Sequence, residues 1–371
     1  MDKSVLFHNL PFLKTAAKTF IHQNLPLDYY LLKGYSFKPY LVVFDMLYAC
    51  NLSCPFCWQG RTEANKPDGA IKGFLRFNEL KLIADKISGF SPRCYLTGGE
   101  PLLHPDIISF ISYLTAKNLY VSLNTNGVLL HESAESIIKA ELTRLIISLD
   151  GTKEVQDKLR GESFDRIGQG IEKIIRFKKD SLKSLPSVRI NLTLNKDNIS
   201  DLPDFLKLMK NWGLNELKIQ HNMFSTNIDI EKQKNINRNV YESPYMGISY
   251  DPEGELLDRG QLKELMERLE ELSSKSGIDI TYFPLIEKNL IDEYYTYPPS
   301  DEKFSKKCLA PWQRVRVLPN AQLSPCLGIE MGNILESDFT DIWNGEKYRK
   351  FRNMIRENLF PVCSRCCLKE Y

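Results

Sequence analysis

No stretch of the sequence approaches the roughly 18 apolar residues that a membrane-spanning helix needs. The chain also lacks an excess of one charge, because 49 Lys and Arg residues balance 47 Asp and Glu residues and leave a formal net charge of +2. This balance gives no electrostatic reason to expect a nucleic acid or an anionic membrane as the main partner. Residues 1–27 contain no apolar signal core with a small-residue cleavage site, so we expect a cytoplasmic protein.

Internal repeats and low-complexity tracts are missing as well, which excludes a solenoid or a disordered low-complexity chain. The 371 residues are enough for about two domains with a sizeable core. A hydrophobic fraction of 43% and a charged fraction of 26% are ordinary for a globular protein.

The 9 cysteines are the informative part of the composition. In a reducing cytosol, clustered cysteines indicate metal ligands or redox groups rather than disulfides, and an odd count argues against a pure disulfide framework. Cys94 stands alone in a predicted strand, which favours an inert core cysteine. The other cysteines form one group near each end of the chain: Cys50, Cys54 and Cys57, and then Cys308, Cys326, Cys363, Cys366 and Cys367.

Between residues 41 and 221, short β-branched runs alternate with longer helical periods, which predicts an α/β fold with parallel strands and right-handed crossovers. The predicted strands are 41–48, 93–97, 120–124, 144–149, 188–194 and 216–221. The predicted helices between them are 78–88, 105–117, 133–140, 164–177 and 200–212, with further helices at 261–275 and 345–357. We expect an N-terminal extension (1–40), a core barrel (41–224), a bridging segment (225–300) and a small C-terminal domain (301–371).

The periodicity alone fits both a doubly wound sheet and a partial barrel. Each polar motif described below directly follows a predicted strand, which is where barrel enzymes place their chemistry. Doubly wound sheets bind ligands at the same edge, so this argument favours a barrel only modestly.

The first motif, Cys50-Asn-Leu-Ser-Cys54-Pro-Phe-Cys57, directly follows the first predicted strand. Three thiolates on a tight loop can hold three irons of a 4Fe–4S cluster and leave the fourth iron for a substrate or cofactor. A structural zinc site would need a fourth ligand nearby, and the next histidine is the distant His104. The spacing alone favours an iron–sulfur cluster and leaves zinc open.

The second motif, Thr97-Gly98-Gly99-Glu100-Pro101, follows the second strand. Glycines at a strand end let the backbone approach a ligand closely, and a carbonyl or carboxylate there can accept hydrogen bonds from an amine. A plain tight turn could use the same glycines. The motif gains weight because it lies one βα unit after the cysteine loop.

Together the two motifs resemble those of the radical S-adenosylmethionine (radical SAM) superfamily. The cysteine triplet matches the family hallmark, with Phe56 as the aromatic residue before the third cysteine, and Gly98–Pro101 resembles the strand-two motif that holds the amino group of SAM. The resemblance covers about residues 41–221 and implies a partial (β/α)6 TIM-like barrel. The side chains that it further implies as SAM contacts are Glu100, Asn124, Ser148, Asp150, Arg160 and either Asn191 or Asn198.

The resemblance also implies the chemistry. In this family SAM chelates the vacant iron, and one electron from the reduced cluster cleaves it to methionine and a 5′-deoxyadenosyl radical, which abstracts hydrogen from a substrate. The cofactor supplies the difficult step, while the protein orients the partners and excludes water and oxygen. The sequence does not identify a catalytic acid or base, although His221, at the end of the sixth predicted strand, is a candidate.

The C-terminal cysteines form a second set. Four thiolates are enough to ligate every iron of a 4Fe–4S cluster, and a zinc knuckle with four cysteines is the alternative. Cys367 directly follows Cys366, and neighbouring side chains in an extended loop usually point apart, so we expect Cys367 to be spare. The expected ligands are Cys308, Cys326, Cys363 and Cys366.

This region resembles the auxiliary-cluster domain of the SPASM/twitch radical SAM subfamily. The resemblance lies in the cysteines and in motifs between them: Gly332-Asn333, Ile342-Trp343-Asn344, Phe351-Arg352 and Cys363-x-x-Cys366. Full SPASM domains carry about seven cysteines and two clusters, whereas this region has five, which implies the shortened version with one auxiliary 4Fe–4S cluster.

The expected function is therefore a radical SAM oxidoreductase or modifying enzyme. Only about 40 residues precede the barrel, which favours a small-molecule substrate over one that needs a separate peptide-binding domain, although a peptide substrate stays open. A reductant such as flavodoxin or ferredoxin would supply the electron. The rival from another class is a non-catalytic interaction protein with two structural zinc sites.

Overall fold

The computed structural model describes residues 26–57, 73–221, 259–284, 307–326 and 329–363, together with 223, 228, 231–233, 286, 288–295 and 365–366. Nine strands form one sheet in the order β7-β6-β5-β4-β3-β2-β1-β8-β9, and all neighbouring strands from β7 to β8 are parallel. The strands are β1 (Leu41–Asp45), β2 (Arg93–Thr97), β3 (Tyr120–Thr125), β4 (Arg144–Ser148), β5 (Ser187–Thr193), β6 (Glu216–Gln220), β7 (Asp279–Phe283), β8 (Arg314–Val317) and β9 (Leu323–Ser324).

The described helices are α1 (Leu27–Leu31), α2 (Phe77–Ser88), α3 (Ile107–Ala116), α4 (Leu130–Lys139), α5 (Lys153–Arg160), α6 (Phe164–Asp180), α7 (Leu202–Asn211), α8 (Arg259–Ser276), α9 (Ile291–Tyr295), α10 (Ala310–Gln313), α11 (Phe339–Trp343) and α12 (Glu346–Glu357). Most of them connect the strands, whereas α1 precedes β1 and α11 and α12 follow β9. None of the helices in the described ranges is long and apolar enough to cross a membrane.

Simple periodicity explains how the sheet and helices pack. Helix α4 buries Leu130, Ala134, Ile137 and Ile138, a spacing that keeps apolar side chains on one helical face. In β5 the buried residues alternate with partly exposed ones, so one side of the strand faces the helices and the other faces the inside of the open barrel. We call this second side the concave face. The predicted α/β fold with a partial barrel and a C-terminal domain is confirmed.

The sheet extends beyond the six predicted strands at both edges. Strand β7 lies within the segment that the sequence presented as a bridge, and it continues the parallel ladder next to β6. At the other edge β8, from the C-terminal domain, pairs in parallel with β1, with Leu41 opposite Arg314. Strand β9 then pairs antiparallel with β8. The C-terminal domain is therefore hydrogen-bonded directly to the first barrel strand.

A buried arginine fastens the segment before β1 to the C-terminal domain. Arg352 donates hydrogen bonds to the carbonyl oxygens of Gly34 (2.9 Å), Trp343 (2.8 Å) and Pro311 (2.8 Å). Burial lowers the pKa of Arg352 to about 10. Trp312 and Trp343 are both fully buried and pack in the core.

Candidate active site

The cysteine loop lies at the carboxyl end of β1, where the carboxyl ends of the parallel strands meet. Cys54 is buried, and Cys50 and Cys57 are half-buried. Cys54 and Cys57 lie in one turn, which the 3.1 Å hydrogen bond from Cys57 N to Cys54 O closes. Burial raises the pKa of Cys50 to about 11, and the charges of Glu100 and of the other two cysteines add to the rise. A positively charged iron centre would stabilise the thiolate forms that such a loop needs to supply as ligands.

The two glycines of the second motif allow two chain segments to pack closely. Gly99 N donates to Leu47 O (2.7 Å) and Glu100 N donates to Ala49 O (2.9 Å), so the end of β2 is hydrogen-bonded to the segment that leads into the cysteine loop. A Cβ at Gly98 would overlap the Leu47 carbonyl, and one at Gly99 would overlap the Ala49 carbonyl. The close approach seen here is to the chain's own cysteine loop, which the glycines hold in place.

Glu100 is fully buried and braces three backbone segments. Its Oε1 accepts hydrogen bonds from Thr125 Oγ1 (2.7 Å) and Leu102 N (2.9 Å), and its Oε2 accepts one from Asn126 N (2.7 Å). Burial raises its pKa to about 7, against the lowering effect of the three hydrogen bonds. The carboxylate therefore ties the end of β2 to the end of β3.

Asn126 links this carboxylate to the cysteine loop, and the residue-by-residue assignment from the sequence missed it. Its Nδ2 donates to Asn51 Oδ1 at 2.8 Å and lies 3.7 Å from Cys50 Sγ. Its Oδ1 accepts from Val128 N, which closes the turn after β3. The signal was present in the sequence, because Asn126 belongs to the polar motif directly after that strand.

Arg160, at the end of α5, lies against the other side of the cysteine loop. Its Nε donates to Asp150 Oδ2 at 2.6 Å, its Nη1 lies 3.9 Å from Cys54 Sγ, and its guanidinium lies 5.1 Å from the centre of the Phe56 ring. Asp150 is itself fully buried and also accepts from Thr193 N (2.8 Å). The predicted residues Phe56, Asp150 and Arg160 thus form one group around Cys54.

The concave face next to this group carries unsatisfied polar atoms. Asn124 Oδ1 on β3 and Asn191 Oδ1 on β5 are buried and have no hydrogen-bond partner in the described part of the chain. Ser148 lies on the strand between them, opposite Asn191. Asn198 differs from these two asparagines, because its Nδ2 donates hydrogen bonds to the backbone carbonyls of Asp150 and Thr193. Buried polar atoms without partners are exceptions, and a polar ligand such as SAM would satisfy these two.

The C-terminal cysteines gather into a second site. Cys308 lies just before α10, and Cys326 follows β9. Cys363 and Cys366 lie in one turn, in which Cys366 N donates a hydrogen bond to Cys363 O (3.2 Å). Burial raises the pKa of Cys363, and the charges of Cys366, Cys308 and Cys326 raise it further, so these three thiols lie within electrostatic range of Cys363. Cys367 lies outside the described residues. In the described ranges, no three His, Cys, Asp or Glu side chains are gathered closely around one point suited to a single metal ion.

Two other candidates have structural roles. His221 is buried among Tyr282, Tyr294 and Tyr295, its ring hydrogen-bonds to the hydroxyls of Tyr282 and Tyr295, and burial lowers its pKa to about 3. A histidine held neutral in this way does not titrate near neutral pH. His104 spans a turn, with Nε2 3.0 Å from Leu75 O and Nδ1 accepting from Asp106 N.

Cys94, on β2, is fully buried in the core, and burial raises the pKa of its thiol. The prediction of an inert core cysteine is confirmed by this placement.

Comparisons with known proteins agree with this geometry. Residues 46–209 match the Radical SAM superfamily, and residues 308–367 match SPASM, an iron–sulfur cluster-binding domain. An AdoMet-dependent heme synthase of Methanosarcina barkeri (strain Fusaro / DSM 804) is 28% identical over 349 residues, which cover 90% of this chain and 89% of that protein. A PqqA peptide cyclase of Gluconobacter oxydans (strain 621H) is 23% identical over 319 residues, which cover 82% of this chain and 76% of that protein.

A solved structure shares the fold. Streptococcus suis SuiB bound to the precursor peptide SuiA superposes with a TM-score of 0.64 at 16% identity, covering 92% of this chain and 78% of that chain. The Radical SAM domain binds SAM and a 4Fe–4S cluster, and the SPASM domain binds auxiliary iron–sulfur clusters. The chain therefore carries a radical SAM domain and a C-terminal SPASM iron–sulfur cluster-binding domain.

Proposed function

We propose that the chain is a radical SAM oxidoreductase or modifying enzyme that acts on a small molecule or a peptide with the help of one auxiliary 4Fe–4S cluster. When bound, the first cluster supplies the electron that cleaves SAM to methionine and a 5′-deoxyadenosyl radical able to take hydrogen from a substrate. The observation that carries this proposal is the cysteine loop at the carboxyl end of β1, in a sheet whose concave face presents the partnerless Asn124 and Asn191 oxygens.

The chain's own residues have distinct roles in this proposal. Cys50, Cys54 and Cys57 hold the first cluster, while Gly98 and Gly99 fix the loop that carries them. A rigidly held loop limits how far the cluster ligands must move during the reaction.

Candidate SAM contacts lie around the loop on the remaining strand ends. Phe56 and Arg160 border Cys54, and Glu100 positions the backbone at the ends of β2 and β3. Asn124, Ser148 and Asn191 present polar groups from neighbouring strands of the concave face.

The second set of cysteines suits a fully ligated cluster. Cys308, Cys326, Cys363 and Cys366 supply one thiol for each iron of a 4Fe–4S cluster. A cluster without an open iron can accept or relay an electron, so we propose oxidation of a substrate radical as the outcome. A reductant such as flavodoxin or ferredoxin would supply the first electron.

The substrate class has two candidates. The similarity to a heme synthase over most of both chains supports a small molecule, and the similarity to a peptide cyclase supports a peptide-modifying maturase. These relatives carry out different reactions at similar identity, so the substrate of this chain is a matter for experiment.

The test is reductive SAM cleavage by the cluster-loaded protein under anaerobic conditions. With dithionite and SAM we expect 5′-deoxyadenosine from the wild type and from Cys94→Ala, whose thiol is fully buried in the core. We expect none from Cys54→Ala. Tightly bound zinc without iron, and no 5′-deoxyadenosine from the wild type, would refute the enzyme and favour a zinc-binding interaction protein.

A further inference from the structure

We propose that Arg189 binds an oxyanion group of the substrate, a carboxylate or a phosphate, inside the open barrel. The inference rests on the proposed function, because it takes the concave face beside the cysteine loop as the substrate side. Arg189 is on β5, on the same face as Asn191 and two residues before it. At about 3.3 Å of rise per residue, its Cα lies roughly 7 Å deeper in the barrel than that of Asn191.

The guanidinium of Arg189 has no protein anion to pair with in the ranges that the structure describes. It makes no ion pair and no hydrogen bond there, and its Nε is buried without a partner. Glu216, on the neighbouring strand, is already committed to Arg144 through contacts of 3.1 and 3.3 Å, and Arg144 also donates to Ser187. The charge of Arg144 on β4 is therefore neutralised by Glu216, whereas the charge of Arg189 on β5 is not.

A second carboxylate on the concave face is also unavailable to Arg189. Asp45 on β1 is engaged by Arg316 on β8, so this carboxylate is also occupied. Arg93 lies 4.3 Å from the centre of the Tyr120 ring, and Lys218 lies 3.9 Å from that of Phe283, which places two further cations on these strands.

The energetics of Arg189 favour an anionic ligand. Burial lowers its pKa, the charge of Arg144 lowers it further, and Tyr95 and Glu216 offset this only in part. An arginine stays protonated in proteins, so the cost appears as a half-buried charge that no described carboxylate compensates. A carboxylate or phosphate would compensate it and would match the planar fork of the guanidinium with two parallel hydrogen bonds.

The experiment measures anion binding by the cluster-loaded, SAM-bound protein. Thermal unfolding is followed during titration with inorganic phosphate or with malonate, at constant ionic strength set by chloride. We expect saturable stabilisation by at least one of the two anions. The anion that binds more tightly indicates whether the oxyanion group of the substrate is a phosphate or a carboxylate. Arg189→Gln should weaken that binding by about tenfold or more, as expected when a charge-assisted pair is lost. Arg189→Lys should retain part of it.

Two further variants keep the test decisive. Arg176→Gln removes an exposed positive charge from α6, outside the barrel, and should leave the anion affinity unchanged. Glu216→Gln releases Arg144 from its ion pair and should strengthen anion binding, which is the opposite of the effect expected for Arg189→Gln. Binding that is not saturable, or that is equally strong in Arg189→Gln and the wild type, would overturn the proposal. Titration does not require turnover, so a failure to make 5′-deoxyadenosine would refute the proposed function separately.

Discussion

Arg316 of the C-terminal domain is paired with Asp45 of the first barrel strand through two hydrogen bonds. Its Nε donates to Asp45 Oδ2 at 2.9 Å, its second nitrogen contacts Oδ1, and the side chain of Asp45 is almost fully buried. Asp45 ends the strand that leads to the cysteine loop, and the thiol of Cys326 is close enough to Arg316 to affect its pKa. This pair therefore connects the backbone of one cluster site to a ligand of the other.

The first prediction concerns this pair. Asp45→Asn should lower the free energy of unfolding by about 3–5 kcal/mol, because it leaves a buried guanidinium without its carboxylate. The double variant Asp45→Asn/Arg316→Met should lose less, since neither charge remains. The matched control is Glu264→Gln, which breaks the exposed Arg268–Glu264 pair and should cost less than about 0.5 kcal/mol. Urea unfolding of the cluster-loaded protein measures all three, and equal losses for Asp45→Asn and Glu264→Gln would contradict the role of the pair.

The second prediction concerns Gly99. A methyl group at this position would overlap the Ala49 carbonyl and displace the cysteine loop. Gly99→Ala should therefore lose the first cluster, about four of about eight irons, and keep the auxiliary one. Gly89→Ala is the control, because its backbone is in the helical region and a Cβ there meets no atom within 4 Å. An unchanged iron content in Gly99→Ala would show that the glycine does not hold the loop.

The third prediction follows from the pKa of Glu100, which burial raises to about 7. The folded state holds this proton more tightly than the unfolded state. The stabilisation from this group is therefore fully present below about pH 4.5 and is lost as the pH rises through about 7. Over that window the wild type should lose on the order of 3 kcal/mol relative to Glu100→Gln. Chemical unfolding at a series of pH values tests this, and parallel pH profiles for the two proteins would refute it.

The fourth prediction concerns Asn126. Its amide lies 3.7 Å from Cys50 Sγ, and a hydrogen bond to a cluster thiolate favours the reduced, more negative state. Asn126→Leu should shift the midpoint potential of the first cluster to a more negative value and leave the auxiliary cluster unchanged. Potentiometric titration monitored by electron paramagnetic resonance separates the two clusters. The same shift in both clusters would point to a general structural change instead.

The sequence predicts the parts of this structure that depend on local patterns. Strand β2 and the end of α2 lie where the periodicity placed them, because alternating or amphipathic residues leave a strong local signal. Helix α5 went unpredicted since it buries only Gln156 and Leu159, too few apolar residues to show a helical period.

Long-range pairing lies beyond local patterns. Nothing local in the sequence indicates that β8 pairs with β1, because the two strands are far apart in the chain. The Asp45–Arg316 pair depends on that register, so it could not be foreseen either. Glu100 belongs to a motif that the sequence shows, but its contact with Asn126 requires the ends of β2 and β3 to meet in space.

Counting iron and sulfide per chain after anaerobic reconstitution tests most directly whether the chain holds two separate iron–sulfur sites. The wild type should hold about eight irons and eight sulfides, in line with two 4Fe–4S clusters. Replacing Cys50, Cys54 and Cys57 by alanine should leave about four irons, and so should replacing the ligands of the second site, Cys308, Cys326, Cys363 and Cys366. About four irons in the wild type, or zinc in place of iron at either site, would contradict the account.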